Sequence, residues 1–349
     1  MNTVTPSSSN CQTIDHIARD STVILIELSE VILAFLTVGC VIVSRAYQAT
    51  VYFHSNLKNL IRFYHFSLIA FSLTSGFTQL FHLVSPILFE GCDIPVAVCA
   101  CAIPRIIISA VNMMYALLML AIPLERTFAT WTVGAYENRD GTLGVICGYF
   151  IVLISLAFAI PYNSDDFFSK KSTSNCIYDR FGIVTGATVT TFLILDGASL
   201  FLIFALLAYN RYKLTRKTYS LSIEFQLHQN IRVLNLFLPN LLLHTVAYLW
   251  YTLGNYYVPS FNLDPLKHRI LVMLANCLPL YTFLASLRWL FVVRGERHRR
   301  RTCCERVATS RTNEKDLYFQ SLQDQWSRQI VRAPARSGGG GIFSVGKAV

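Results

Sequence analysis

The sequence predicts an all-α membrane protein, a bundle of seven transmembrane helices with the N-terminus outside and the C-terminus in the cytoplasm. Three observations carry that prediction. Seven apolar runs, each long enough to cross a bilayer, occupy residues 1–293. Only 14% of the chain is charged, where a soluble chain carries about 25%. The basic residues fall on one side of the predicted spans. A spanning helix needs about 20 mainly apolar residues, because the hydrocarbon core is about 30 Å thick and each residue rises about 1.5 Å. Lipid offers the backbone no hydrogen bonds, so each run must be a helix or belong to a closed barrel. The runs are continuous rather than alternating at period two, which selects the helix.

Taken in order, residues 1–21 are polar and lack a basic stretch followed by an apolar one. They read as an external N-terminus without a cleaved leader, and the first span acts as the insertion signal. The spans are read at 22–44, 60–84, 99–123, 142–162, 181–208, 233–256 and 269–293. Tyr47, Tyr162, Tyr209, Tyr256 and Trp289 mark span edges as interfacial anchors do. Of the 30 Lys and Arg residues, 22 lie in the first, third and fifth connections and the tail, and six lie on the opposite side. Arg105 and Arg288 sit inside spans. Cytoplasmic loops collect Lys and Arg, and this sets the orientation. The net charge of +10 therefore lines one membrane face and does not argue for nucleic acid as a partner.

Residues 294–349 form a basic cytoplasmic tail. It opens with Arg294-Gly295-Glu296-Arg297-His298-Arg299-Arg300-Arg301. Such a run attracts anionic membrane lipid at about 1 kcal/mol per basic residue near the surface. It also serves as a plain stop-transfer flank. Cys303 and Cys304 follow and are candidates for palmitoylation or plain reduced thiols. Further on, Phe319, Leu322, Trp326 and Ile330 share one helical face.

The third span ends Pro123-Leu124-Glu125-Arg126, continuing Thr127-Phe128-Ala129-Thr130. The fifth-to-sixth loop reads Tyr219-Ser220-Leu221-Ser222-Ile223-Glu224-Phe225-Gln226-Leu227-His228-Gln229-Asn230-Ile231-Arg232, and the first loop holds His54-Ser55-Asn56-Leu57-Lys58. Over most of residues 20–330 the chain resembles the nematode serpentine receptor class epsilon chemoreceptors, which are similar to G-protein-coupled receptors. It departs from them at His228-Gln229, where an acidic residue is expected before Asn230. The resemblance implies a multi-pass plasma-membrane receptor of sensory cilia. Its partners would be an external small-molecule ligand and a heterotrimeric G protein. It implies neither an enzyme nor a cofactor. Glu125 and Arg126 would then be the switch at the cytoplasmic boundary, the carboxylate holding the arginine when the receptor is inactive. Asn276, Pro279 and Tyr281 resemble the seventh-span receptor motif with altered spacing, and Pro239 in span six is a second bend point. Together with Glu125 and Arg126, Pro239, Pro279 and Tyr281 are the candidate activation residues.

The resemblance also implies a Cys101–Cys176 disulfide. Cys101 lies 25 residues before Arg126, about 37 Å of helix, and so at the outer end of span three. Cys92 and Cys99 remain competitors for Cys176. Buried ionisable groups in membranes are functional candidates. Arg105, Ile108 and Asp196 are the candidate ligand-binding residues. Arg105 either meets an anionic ligand or pairs within the bundle with Glu27, Glu30 or Asp196. Ile108 stands 18 residues before Arg126, where amine receptors place a carboxylate, which counts against a biogenic amine. His65, His82 and His244 read as hydrogen-bonded core histidines rather than metal ligands. Gly144 and Gly148, like Gly182 and Gly186, have the spacing of close helix contacts.

Two other classes compete with the receptor. A seven-span ligand-gated channel of the insect odorant-receptor type has the opposite orientation. A small-molecule transporter would show duplicated halves with interrupted helices.

Overall fold

The computed structural model describes residues 15–48, 53–89, 96–132, 140–169, 172–173, 175–177, 186–216 and 221–309. Seven helices in it are long and apolar enough to cross a membrane. They are α1 (Ser21–Gln48), α2 (Ser55–Leu88), α3 (Val98–Trp131), α4 (Thr142–Phe168), α5 (Gly186–Thr215), α6 (Leu221–Tyr257) and a seventh span built from α7 (Pro265–Ala275) and α8 (Leu278–Thr309). Five of the predicted spans fall inside one of these helices; the fifth, read at 181–208, begins before the described start of α5 at Gly186, and the seventh, read at 269–293, runs across the break between α7 and α8. The helices overrun the sequence estimates because hydropathy marks the lipid-contacting middle, whereas caps mark the ends. Asp20 accepts from the amides of Thr22 and Val23, and His54 accepts from that of Asn56. Asp264 caps α7 ahead of Pro265, whose missing N–H costs nothing in a first turn.

The chain divides after Gly295 into two compact units. Of the second unit the described part is the helical stretch 296–309. The side chains of Cys303 and Cys304, and all of the apolar stripe from Phe319 to Ile330, lie outside the described residues.

Within residues 1–295 the core is one continuous cluster. Its largest members are Trp289, Tyr64, Tyr115, Tyr248 and Tyr281, all fully buried. The exterior carries Leu25, Phe66, Ile103, Phe150, Ile194, Val246 and Phe291, each well exposed. Apolar side chains outside and polar ones inside suit lipid as solvent. Gly144 and Gly148 let α4 lie against α2. A Cβ on Gly144 would fall 2.3 Å from the carbonyl oxygen of Asn56, and one on Gly148 would fall 2.0 Å from the Phe63 ring. The Gly144 amide donates to Asn56 Oδ1 at 3.0 Å. The other pair cannot be compared, because Gly182 and the side-chain environment of Gly186 lie outside the described residues.

The seventh span is interrupted rather than bent. Asn276 caps α7 and Cys277 is non-helical, so Pro279 falls in the first turn of α8. A proline there would have left the Ala275 carbonyl without its helical donor. The break supplies one instead, since the Cys277 amide donates to Ala275 at 3.0 Å.

Candidate functional site

Three polar layers lie along α3 inside the apolar bundle. The first is at its Arg126 end. Arg126 and Glu125 are both buried, and the guanidinium meets the carboxylate through two contacts of 2.5 Å. Arg126 Nη1 also donates to Asn230 Oδ1 on α6 at 3.1 Å, and Asn230 Nδ2 donates to Thr130 Oγ1 at 3.2 Å. Asn210 Oδ1 on α5 lies 3.5 Å from the same hydroxyl. A charged fork is thus tied to three helices.

The second layer is central and mostly aromatic. Tyr281 on α8 is its hub. Its hydroxyl lies 3.3 Å from that of Tyr64 on α2 and 3.1 Å from His244 Nδ1 on α6. His244 Nε2 lies 3.2 Å from Asp196 Oδ1 on α5, and Tyr248 donates to Asn112 Oδ1 at 3.1 Å. The Tyr115 ring meets those of Tyr64, Tyr281 and His244 edge-on at about 6 Å. Asp196 therefore faces His244 across the layer, at a distance but not an angle that makes a hydrogen bond, and is not the partner of Arg105. His65 departs from the sequence expectation. Neither of its ring nitrogens finds a hydrogen-bond partner among the described residues, and it packs edge-on to Trp289 instead.

The third layer surrounds the disulfide. Cys101 and Cys176 are joined across 75 residues, while Cys99 is free and Cys92 lies outside the described residues. A two-residue ladder pairs β1 (Val96–Ala97) with β2 (Ser172–Thr173), Val96 opposite Thr173. These two ties seat residues 175–177 in the end of the bundle, with Asn175 and Cys176 buried. The Cys176 amide donates to His82 Nε2 at 3.0 Å, and its carbonyl accepts from Arg105 Nε at 2.6 Å.

Arg105 Nη1 lies 3.2 Å from Asp166 Oδ2, both side chains being buried. This corrects the three expected partners. Glu27 faces Arg269 at 3.9 Å and Asn175 at 3.4 Å, and Glu30 accepts from Gln79 at 2.6 Å. Asp166 escaped the sequence reading because the fourth span was ended at 162. The helix runs on to Phe168 and brings the carboxylate under Arg105. Ile108 is half-buried against the main core.

Of the candidates, the structure brings Glu125 with Arg126 and Cys101 with Cys176. It leaves Arg105 and Asp196 in separate layers, each with a partner. It adds Asn230, Asn112, Tyr64, Tyr115, Tyr248 and Asp166. The asparagines carried a usable signal, since an amide in a span must find an internal partner. The tyrosines did not, because aromatic residues also fill lipid-facing positions.

A family model described as a serpentine type 7TM GPCR receptor class ab chemoreceptor matches residues 8–327. Serpentine receptor class beta-16 of Caenorhabditis elegans is 23% identical over 291 residues, 80% of this chain and 85% of that protein. Serpentine receptor class alpha/beta-14 of the same organism is 25% identical over 205 residues. Class beta-17 is 25% identical over 217. These two matches span only 51% and 59% of the relatives' own lengths. The matches are to the alpha/beta and beta classes, and they replace the class epsilon resemblance. Of the motifs behind that resemblance, Glu125, Arg126, Thr130 and Asn230 meet in the first layer, whereas Asn56 of the first-loop motif lies on α2 against Gly144.

Proposed function

The chain belongs to the class ab serpentine chemoreceptors, and from that premise we propose that it binds an external small molecule and activates a heterotrimeric G protein. In this reading the disulfide end faces outward and the Arg126 end faces the cytoplasm. The receptor sits in the plasma membrane of sensory cilia, with its basic tail against anionic lipid.

The observation that carries the reading is the Arg126 layer. A buried arginine held by its own neighbour and by Asn230 on α6 is a closed arrangement with a defined way to open. Moving α6 outward removes Asn230 and frees one face of the guanidinium. Ligand and G protein then act on one equilibrium, each favouring the open form. A hydrogen bond to a charged group contributes about 1.5–3 kcal/mol, so losing Asn230 shifts that equilibrium by roughly 10- to 150-fold.

The test is a second-messenger reporter in cells expressing the full chain. Asn230→Ala is expected to raise basal signalling, and Arg126→Ala to abolish it at normal surface expression. An N-terminal epitope should stain on intact cells. Staining only after permeabilisation, or unchanged basal signalling in both variants, overturns the reading.

A further inference from the structure

Arg288 is an intramembrane arginine that none of the three layers uses. It lies on α8 and is only partly buried. No carboxylate lies within ion-pair distance of it among the described residues, unlike Arg105 and Arg126. Its charge is met instead by neutral acceptors on α6. Nη1 donates to Asn240 Oδ1 at 2.5 Å, and Nη2 donates to the Leu236 carbonyl at 3.1 Å.

Those two acceptors stand four residues apart, and Pro239 lies between them. Proline has no N–H, so the Asn235 carbonyl has no helical donor and α6 is weakest at this turn. Leu236 and Asn240 occupy one helical face, a single turn apart. One planar guanidinium reaches both, so its fork straddles the proline turn from the neighbouring span. Asn240 is fully buried, so water does not compete with the guanidinium for its side-chain oxygen. The half of α6 before Pro239 is the half that carries Asn230, the residue bound to Arg126.

We propose that Arg288 is a positioning residue that clamps the proline turn of α6 and so holds Asn230 against Arg126. Neutral acceptors make the clamp releasable. A carboxylate in place of Asn240 would bind the arginine more strongly and resist opening. The link to signalling rests on the receptor reading above, whereas the clamp itself does not.

The test uses the full chain in lipid nanodiscs, with hydrogen–deuterium exchange followed by mass spectrometry. Arg288→Met is expected to speed exchange over residues 221–238 by about ten-fold or more, with 241–257 and α3 unchanged. Arg288→Lys, with a single ammonium for two acceptors, falls between. Asn240→Asp gives the arginine a counter-charge, so exchange over 221–238 slows and the thermal midpoint rises. If Arg288→Met fails to assemble, the Lys and Asp variants decide the matter. A uniform rise along α6, or an Asn240→Asp variant no different from the parent, overturns the clamp. Basal second-messenger output separates the two ideas. Exchange that shifts without any change in output leaves the clamp and sinks the receptor reading. Output that shifts without a change in exchange sinks the clamp.

Discussion

Replacing Asp166 by Asn should be among the most damaging single changes at the disulfide end, and its cost can be reasoned from the geometry. The Arg105 and Asp166 side chains are 8% and 5% exposed, so neither charge can fall back on water. Removing one partner of such a pair costs about 3–5 kcal/mol, chiefly because the other charge is left buried and unmatched. Asp166→Asn leaves Arg105 with neutral acceptors and no counter-charge. Arg105→Met removes the arginine facing Asp166 and deprives the Cys176 carbonyl of its donor. The double variant Arg105→Met with Asp166→Leu contains no unmatched charge. Its remaining cost is the lost bond to Cys176, about 1.5–3 kcal/mol. The double should therefore be more stable than either single, and far from their sum. The assay is the thermal midpoint of the purified protein beside surface expression by flow cytometry. Arg105→Met combined with Glu30→Gln or Asp196→Asn serves as control and should be additive. Additivity for Asp166, or coupling with Asp196, would refute the pairing.

Two further outcomes follow from packing and connectivity. Gly144→Ala should destabilise more than Gly148→Ala, because its methyl meets the Asn56 backbone whereas the other meets a ring that can turn aside; overpacking of this kind costs about 1–3 kcal/mol, read as a drop in thermal midpoint. Cys176→Ser should cost about 2–5 kcal/mol, and Cys101→Ser with Cys176→Ser should cost no more than the worse single; a clearly additive double would mean that the bond does not form.

The seven spans were legible because lipid imposes a length and a composition on every one of them. The Glu125–Arg126 pair was legible because the two are adjacent in the chain and sit at a span end. The Cys101–Cys176 pairing was legible only through resemblance, since four cysteines lie within reach. What the sequence hid was partnership across helices. Arg105 had three plausible acidic partners, and the choice depended on how far α4 continues past its apolar stretch. The orientation of each helix about its own axis selects Asp166, and hydropathy is nearly blind to that rotation. The same blindness concealed the aromatic layer, because a tyrosine facing lipid and a tyrosine facing His244 look alike in a string of letters. Pro279 shows the opposite case. Its residue type signals a disruption, yet whether the helix bends or breaks depends on the spare amide that Cys277 supplies.

The third helix is fastened at both extremities. Near its start the disulfide and Arg105 tie it to residues 175–177 and to α4, and near its finish Arg126 and Thr130 tie it to α6 and α5. Its ties at Cys101 and at Arg126 lie about seven helical turns apart, placed like the bearings of an axle. Tilting such an axle would break polar contacts at both bearings at once, a cost that no single docking event at either end recovers. Swinging α6 about its proline breaks contacts at one bearing only. Under the proposed receptor function, the placement of the buried charges makes α3 the fixed shaft and α6 the hinged arm, and the release of Asn230 from Arg126 is the smallest step by which one end of the molecule informs the other.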